Sequence, residues 1–185
     1  MFIQTETTPN PQTLKFLPGR AVLDGEPRDY RSADAAHESP LAERLFSLPD
    51  VAGVFLGSDF VAVTTSHGEW QHLKPSVLGT IMEHYQSGAP VLGDTAGAPT
   101  EDAEFFDEAD AETVAVVKEL IDERVRPAVA QDGGDITFKG FRDGTVYLQM
   151  EGACSGCPSS TATLKSGIEN LLRHFVPGVE AVQQV

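Results

Sequence analysis

The chain has 185 residues, 41% of them apolar, which is enough to build a core, and no apolar run approaches the ~18 residues that a membrane span requires. Lys and Arg number 13 against 28 Asp and Glu, a formal net charge of −15, and so acidic a surface repels phosphate backbones and disfavours sequence-independent nucleic-acid binding. The start, MFIQTETTPNPQ, shows neither a secretory signal nor the Arg-rich, acid-poor pattern of an organelle transit peptide, so a reducing cytoplasm is the expected setting.

Charge divides the chain into an expected first domain (1–87), a linker (88–111) and a second domain (112–185). In the first, Gln12 to Leu17 alternates as a short strand that ends at Pro18-Gly19. Ser39-Pro40 marks a helix start: the serine oxygen can accept from an early backbone N–H, and proline fits the first turn. Leu41, Leu45 and Leu48 line one face of that helix until Pro49-Asp50. Val51 to Leu56 and Phe60 to Thr65 are β-branched or aromatic runs around Gly57-Ser58-Asp59, the pattern of a hairpin. A helix then runs from Lys74-Pro75 to Gln86, with Val77, Leu78, Ile81 and Tyr85 at helical spacing. Trp70 and Leu73 read as core residues beside it.

The segment SGAPVLGDTAGAPTEDAEFFDEAD carries seven acidic side chains and no basic one. Its composition cannot offset the entropy of ordering, which predicts a flexible, self-repelling linker with Phe105 and Phe106 as its one adhesive spot. The second domain opens with a helix from about Ala111, with Val114, Val117, Leu120, Ile121 and Val125 in a stripe that Pro127 should kink or end. Asp132-Gly133-Gly134-Asp135 is a turn in which glycine permits positive φ. A hairpin follows, Asp135 to Phe141 and Thr145 to Met150, then a helix from Pro158 to about Phe175 and a last edge strand within Val179 to Val185. The order α-β-β-α-β makes this an α+β protein of two small mixed domains, with little room for a catalytic cleft.

Only two cysteines occur, Cys154 and Cys157, so no disulfide framework holds the fold. Pro158 places Cys157 at or near a helix N-cap, where the dipole and free N–H groups favour thiolate over thiol. Gly152 and Gly156 clear space beside the sulfurs, Ser155, Ser159 and Ser160 offer hydroxyls, and Lys165 offers a counter-charge. Three chemistries fit the pair. A thioredoxin-like dithiol–disulfide oxidoreductase is one, although only 28 residues follow Cys157, too few for the strands such a fold still needs. A structural zinc site needs four ligands, and an iron–sulfur cluster typically takes four thiolates. With two cysteines per chain, either metal reading demands two chains sharing one centre. The five histidines, His37, His67, His72, His84 and His174, have no metal-ligand spacing with the cysteines and read as surface or packing residues.

The run DGGDI, a hairpin and GACSGCPSSTATLKSGIENLL closely resemble the NifU C-terminal-like domain of Nfu proteins. TPNPQTLKF, FLGSDFVAVT and W-x-x-LKP-x-x-x-x-x-I are similar to the Nfu N-terminal domain, so the resemblance covers nearly all of both halves. It implies an iron–sulfur cluster scaffold or carrier rather than an enzyme. Cys154 and Cys157 of two subunits would together bind a bridging cluster, generally [4Fe-4S] with [2Fe-2S] as the other form. Apo iron–sulfur proteins and upstream assembly factors would be its partners, with no nucleic acid and no membrane. The absence of a mitochondrial presequence points to a bacterial, cytoplasmic form. The resemblance assigns no ligand role to Asp132–Asp135.

Overall fold

The computed structural model describes residues 1–94, 96–97, 103–155 and 158–185, with backbone alone at 158–160. The chain forms two compact units, Met1–Thr100 and Glu101–Val185.

The first unit contains strands β1 (Gln4–Thr7), β2 (Thr13–Leu17) and β3 (Arg28–Tyr30), helix α1 (Pro40–Phe46), strands β4 (Val51–Leu56) and β5 (Val61–Thr65), and helix α2 (Trp70–Ser87). The five strands form an antiparallel sheet in the order β1-β2-β5-β4-β3. The expected hairpin is the β4–β5 pair. Strands β1 and β3 carry no apolar alternation that would announce them, and they exist because β2 and β4 supply partners. Ser39 caps α1 as its sequence suggests, its oxygen accepting from Ala42 N–H at 3.1 Å. Helix α2 begins at Trp70, a turn before the expected Lys74-Pro75 start. Pro75 therefore lies inside the helix and forfeits an intrahelical hydrogen bond. The early turn is held from the core side: Leu73 is buried, and the Trp70 ring lies 6.0 Å from that of Phe16.

In the second unit α3 (Ala111–Leu120), a π-helical turn (Ile121–Val125) and α4 (Arg126–Gln131) run into β6 (Gly134–Arg142), β7 (Thr145–Gly152), α5 (Pro158–Phe175) and β8 (Ala181–Gln184). This is the expected α-β-β-α-β order. Pro127 does not end the helix, because the π turn just ahead of it has already shifted the hydrogen-bond ladder, and α4 continues to Gln131. β7 is the central strand, antiparallel to β6 and parallel to β8. Val117, Ile121 and Val129 from one helical arm and Ile168 and Leu172 from α5 pack on Ile136, Val146, Leu148 and Met150.

The acidic stretch 88–111 departs from a free linker at both ends. On the first unit Gly88 turns out of α2 at φ +70°, Val91 and Leu92 pack on the core, and Gly93 N–H donates to Glu38 O at 2.7 Å. Ser39 Oγ also donates to Val91 O at 2.6 Å, and Arg28 Nη2 donates to Gly97 O at 2.6 Å. On the second unit Phe105 adds one bridge to the edge of β6: its N–H donates to Lys139 O at 3.1 Å and its carbonyl accepts from Phe141 N–H at 2.8 Å. Its ring rests on Gly140 and lies 5.1 Å from the Tyr147 ring. Phe105 is thus the adhesive spot that the sequence suggested, whereas charge counting gave no sign of Val91 and Leu92. Residues 95 and 98–102 of that stretch lie outside the described residues.

Candidate metal centre

Cys154 sits in the turn between β7 and α5. Strand β7 ends at Gly152, whose φ of +65° bends the chain off the sheet, and Ala153 N–H donates to Gly133 O at 3.1 Å. The turn closes when Ser155 N–H and Oγ both donate to Gly152 O, at 3.1 and 2.9 Å. Thr161 Oγ1 on the first turns of α5 donates to Cys154 O at 3.0 Å, so the cysteine carbonyl is tied to the helix that follows.

The Asp132–Asp135 turn, without a role in the sequence reading, packs against this turn. Asp132 ends α4, Gly133 takes a φ of +80°, and Gly134 pairs with Gly152 at the end of the β6–β7 ladder. A β-carbon placed on Gly134 would lie 2.8 Å from Cys154 Sγ and 2.5 Å from Glu151 O. Asp135 is buried and held by a two-pronged pair with Arg126, which donates from Nε at 3.0 Å and from Nη2 at 2.8 Å. Periodicity could not reveal this pair. Its only sequence signal was the unusual double glycine between two aspartates.

Cys154 is a free thiol, 7% exposed. Burial pushes its pKa up to about 12, and the negative charges of Asp132 and Asp135 push the same way. For Cys154, loss of water and two nearby carboxylates favour the thiol; the helix-start argument for a thiolate concerned Cys157. Cys157 and Gly156 lie outside the described residues, as do the side chains of Ser159 and Ser160. Lys165 is half-buried on α5, its backbone roughly 10 Å along the helix axis from the helix start. Among the described residues no three His, Cys, Asp or Glu side chains group as a metal site. Thiols are the soft donors that iron in a cluster takes, and two per chain fall short of the usual four.

Residues 3–88 match the family described as scaffold protein Nfu/NifU N terminal, and residues 117–183, which include both cysteines, match the NifU-like domain. A curated relative in Drosophila sechellia, named NFU1 iron-sulfur cluster scaffold homolog, mitochondrial, is 50% identical over 187 residues, spanning all of this chain and 65% of the fly protein. The human protein of the same name is 48% identical, again over the whole of this chain and over 72% of its own length. The chain belongs to the Nfu family. A solution NMR structure of a NifU-like protein from Saccharomyces cerevisiae overlaps 51% of this Nfu-family chain and 86% of that one, with 24% identity and a TM-score of 0.46.

These relatives overturn the expected bacterial, cytoplasmic setting, since the proteins that share half of this chain's residues are mitochondrial by name. That expectation rested on a missing presequence. The first residue of a chain carries no information about its compartment, and the fly relatives extend well beyond the length this Nfu-family chain spans.

Proposed function

We propose that this scaffold-family chain carries a [4Fe-4S] cluster held by Cys154 and Cys157 of each of two copies, and delivers it to apo iron–sulfur proteins. One observation carries the reading: the sequence holds two cysteines, two residues apart, both inside the NifU-like match of a family whose relatives are named iron–sulfur cluster scaffolds. Four thiolates satisfy a cluster, so two chains complete what one begins. Residues 112–185 hold the cargo in this reading. Residues 1–87 have no cysteine and serve to recognise acceptors or upstream assembly factors.

Delivery is ligand exchange rather than catalysis. Each iron–sulfur bond to Cys154 or Cys157 is replaced by a bond to an acceptor cysteine, and the proton of the incoming thiol passes to the sulfur released. No electron changes hands and no general base is required. A cargo shared between chains can leave when the chains part, whereas four ligands in one chain would retain it.

Anaerobic loading with iron and sulfide tests the proposal. The expected product is a dimer with broad absorbance at about 400 nm and about four irons per pair of chains. Cys154→Ser and Cys157→Ser should each remain colourless, and the loaded chain should reconstitute an apo-acceptor. About two irons per pair would reassign the cargo to [2Fe-2S]. A chain that stays monomeric and colourless, or that turns over disulfides without metal, would overturn the carrier reading.

A further inference from the structure

We propose that Gly134 is a positioning residue: its bare α-carbon opens the slot in which the Cys154 sulfur rests, so the 132–134 turn sheathes that thiol. The inference rests on the carrier reading only in treating Cys154 as a cargo ligand.

Two neighbouring glycines here answer different needs. Gly133 has a φ of +80°, a conformation that favours glycine by itself. Gly134 is an ordinary strand residue with no such requirement, and what it lacks is space. An added β-carbon would meet Cys154 Sγ at 2.8 Å, Cys154 N at 3.2 Å and Glu151 O at 2.5 Å. The turn cannot simply retreat. Asp135, the next residue, is clamped by Arg126 through two hydrogen bonds, and Gly133 O is tied to Ala153 N–H on the cysteine's own loop. A methyl group at Gly134 therefore pushes on both the end of β7, through Glu151 O, and the cysteine sulfur, so the β7 end and the Cys154 side chain must shift together and the thiol leaves its slot.

The sheath adds to the core packing that leaves Cys154 only 7% exposed on a loop whose neighbour Ser155 is part-buried. A thiol kept from solvent resists oxidation and stray metals. A reagent reaches the thiol when the 132–134 turn and the 153–155 loop part locally, with Gly133 and Gly152, both at positive φ, on either side of the contact.

Alkylation of Cys154 by iodoacetamide, in full-length apo chain carrying Cys157→Ser, reads this directly and needs no iron. The parent should react at least about tenfold more slowly than the denatured chain at about pH 8, and Gly134→Ala should raise the folded-state rate about fivefold or more. Gly140→Ala, which perturbs the Phe105 contact elsewhere on β6, should leave the rate unchanged. Equal rates in the parent and Gly134→Ala, or an equal rise in Gly140→Ala, would overturn the proposal. Should Gly134→Ala fail to fold, the parent decides the matter in sub-denaturing urea. A rate flat in urea marks local opening of the sheath; a rate climbing with the full slope of global unfolding refutes it. Failed cluster loading would sink the carrier reading and leave this measurement standing.

Discussion

Removing the guanidinium that clamps the site's wall should cost more than neutralising the carboxylate it clamps. In the Arg126–Asp135 pair the two hydrogen bonds are 3.0 and 2.8 Å long, and the side chains are 30% and 7% exposed. Arg126→Ala strands an anion where water has little access. An enclosed pair broken in this way costs about 3–5 kcal/mol, and the partial exposure of Arg126 reduces that to about 2–3 kcal/mol. Asp135→Asn removes the charge that cannot be solvated and leaves Arg126 within reach of Asp122, at 3.3 Å, so its cost should be nearer about 1 kcal/mol. A unit of this size loses roughly 4–8 °C in Tm per kcal/mol, which gives about 10–20 °C for Arg126→Ala and about 5 °C for Asp135→Asn. Calorimetry of the full chain measures both shifts. Trp70, the sole tryptophan, lies in the first unit, so the transition it reports by fluorescence should not move. The reasoning fails if Asp135→Asn costs as much as Arg126→Ala, or if the arginine variant melts within about 3 °C of the parent.

Two other perturbations probe different parts of the chain. His84 is fully buried on α2 and neither ring nitrogen has a hydrogen-bond partner among the described residues. Burial, reinforced by the charge of Arg44, holds its pKa below the usual 6.5, an effect that the nearby Pro90 and Ala89 carbonyls offset only in part. The unfolded chain therefore binds a proton there before the folded one does. Stability contributed by the neutral ring is complete above pH 6.5 and falls as pH drops below it, by at most about 1.4 kcal/mol per pH unit. Thermal melts between about pH 7.5 and 5.5, followed by Trp70 fluorescence, should show a slope that His84→Leu flattens; an unchanged slope would refute this. For Phe105, which is 36% exposed, truncation to alanine should cost about 1–2 kcal/mol, below the ~3–5 of an enclosed phenylalanine. Hydrogen exchange at the Phe141 amide, which donates to Phe105 O, should accelerate with it, and an unaffected amide would show that the strap does not depend on the ring.

Periodicity and turn chemistry alone specified the β4–β5 and β6–β7 hairpins, the Ser39 cap and the amphipathic α5, because each depends on residues a few positions apart. The spacing of Cys154 and Cys157 and the motifs around them likewise identified the family without coordinates. Tertiary structure decided what depends on partners distant in sequence. Strands β1 and β3 form against β2 and β4, α2 gains a turn because Trp70 and Leu73 find the core, and Val91 and Phe105 anchor a stretch whose charge suggested freedom. The same holds at the site. A helix dipole can be read locally and argues for a thiolate at Cys157, whereas the depth of Cys154, the carboxylates beside it and the gap left by Gly134 arise where β6, β7 and α4 converge. Desolvation depends on everything that packs around a group, and no local pattern encodes it.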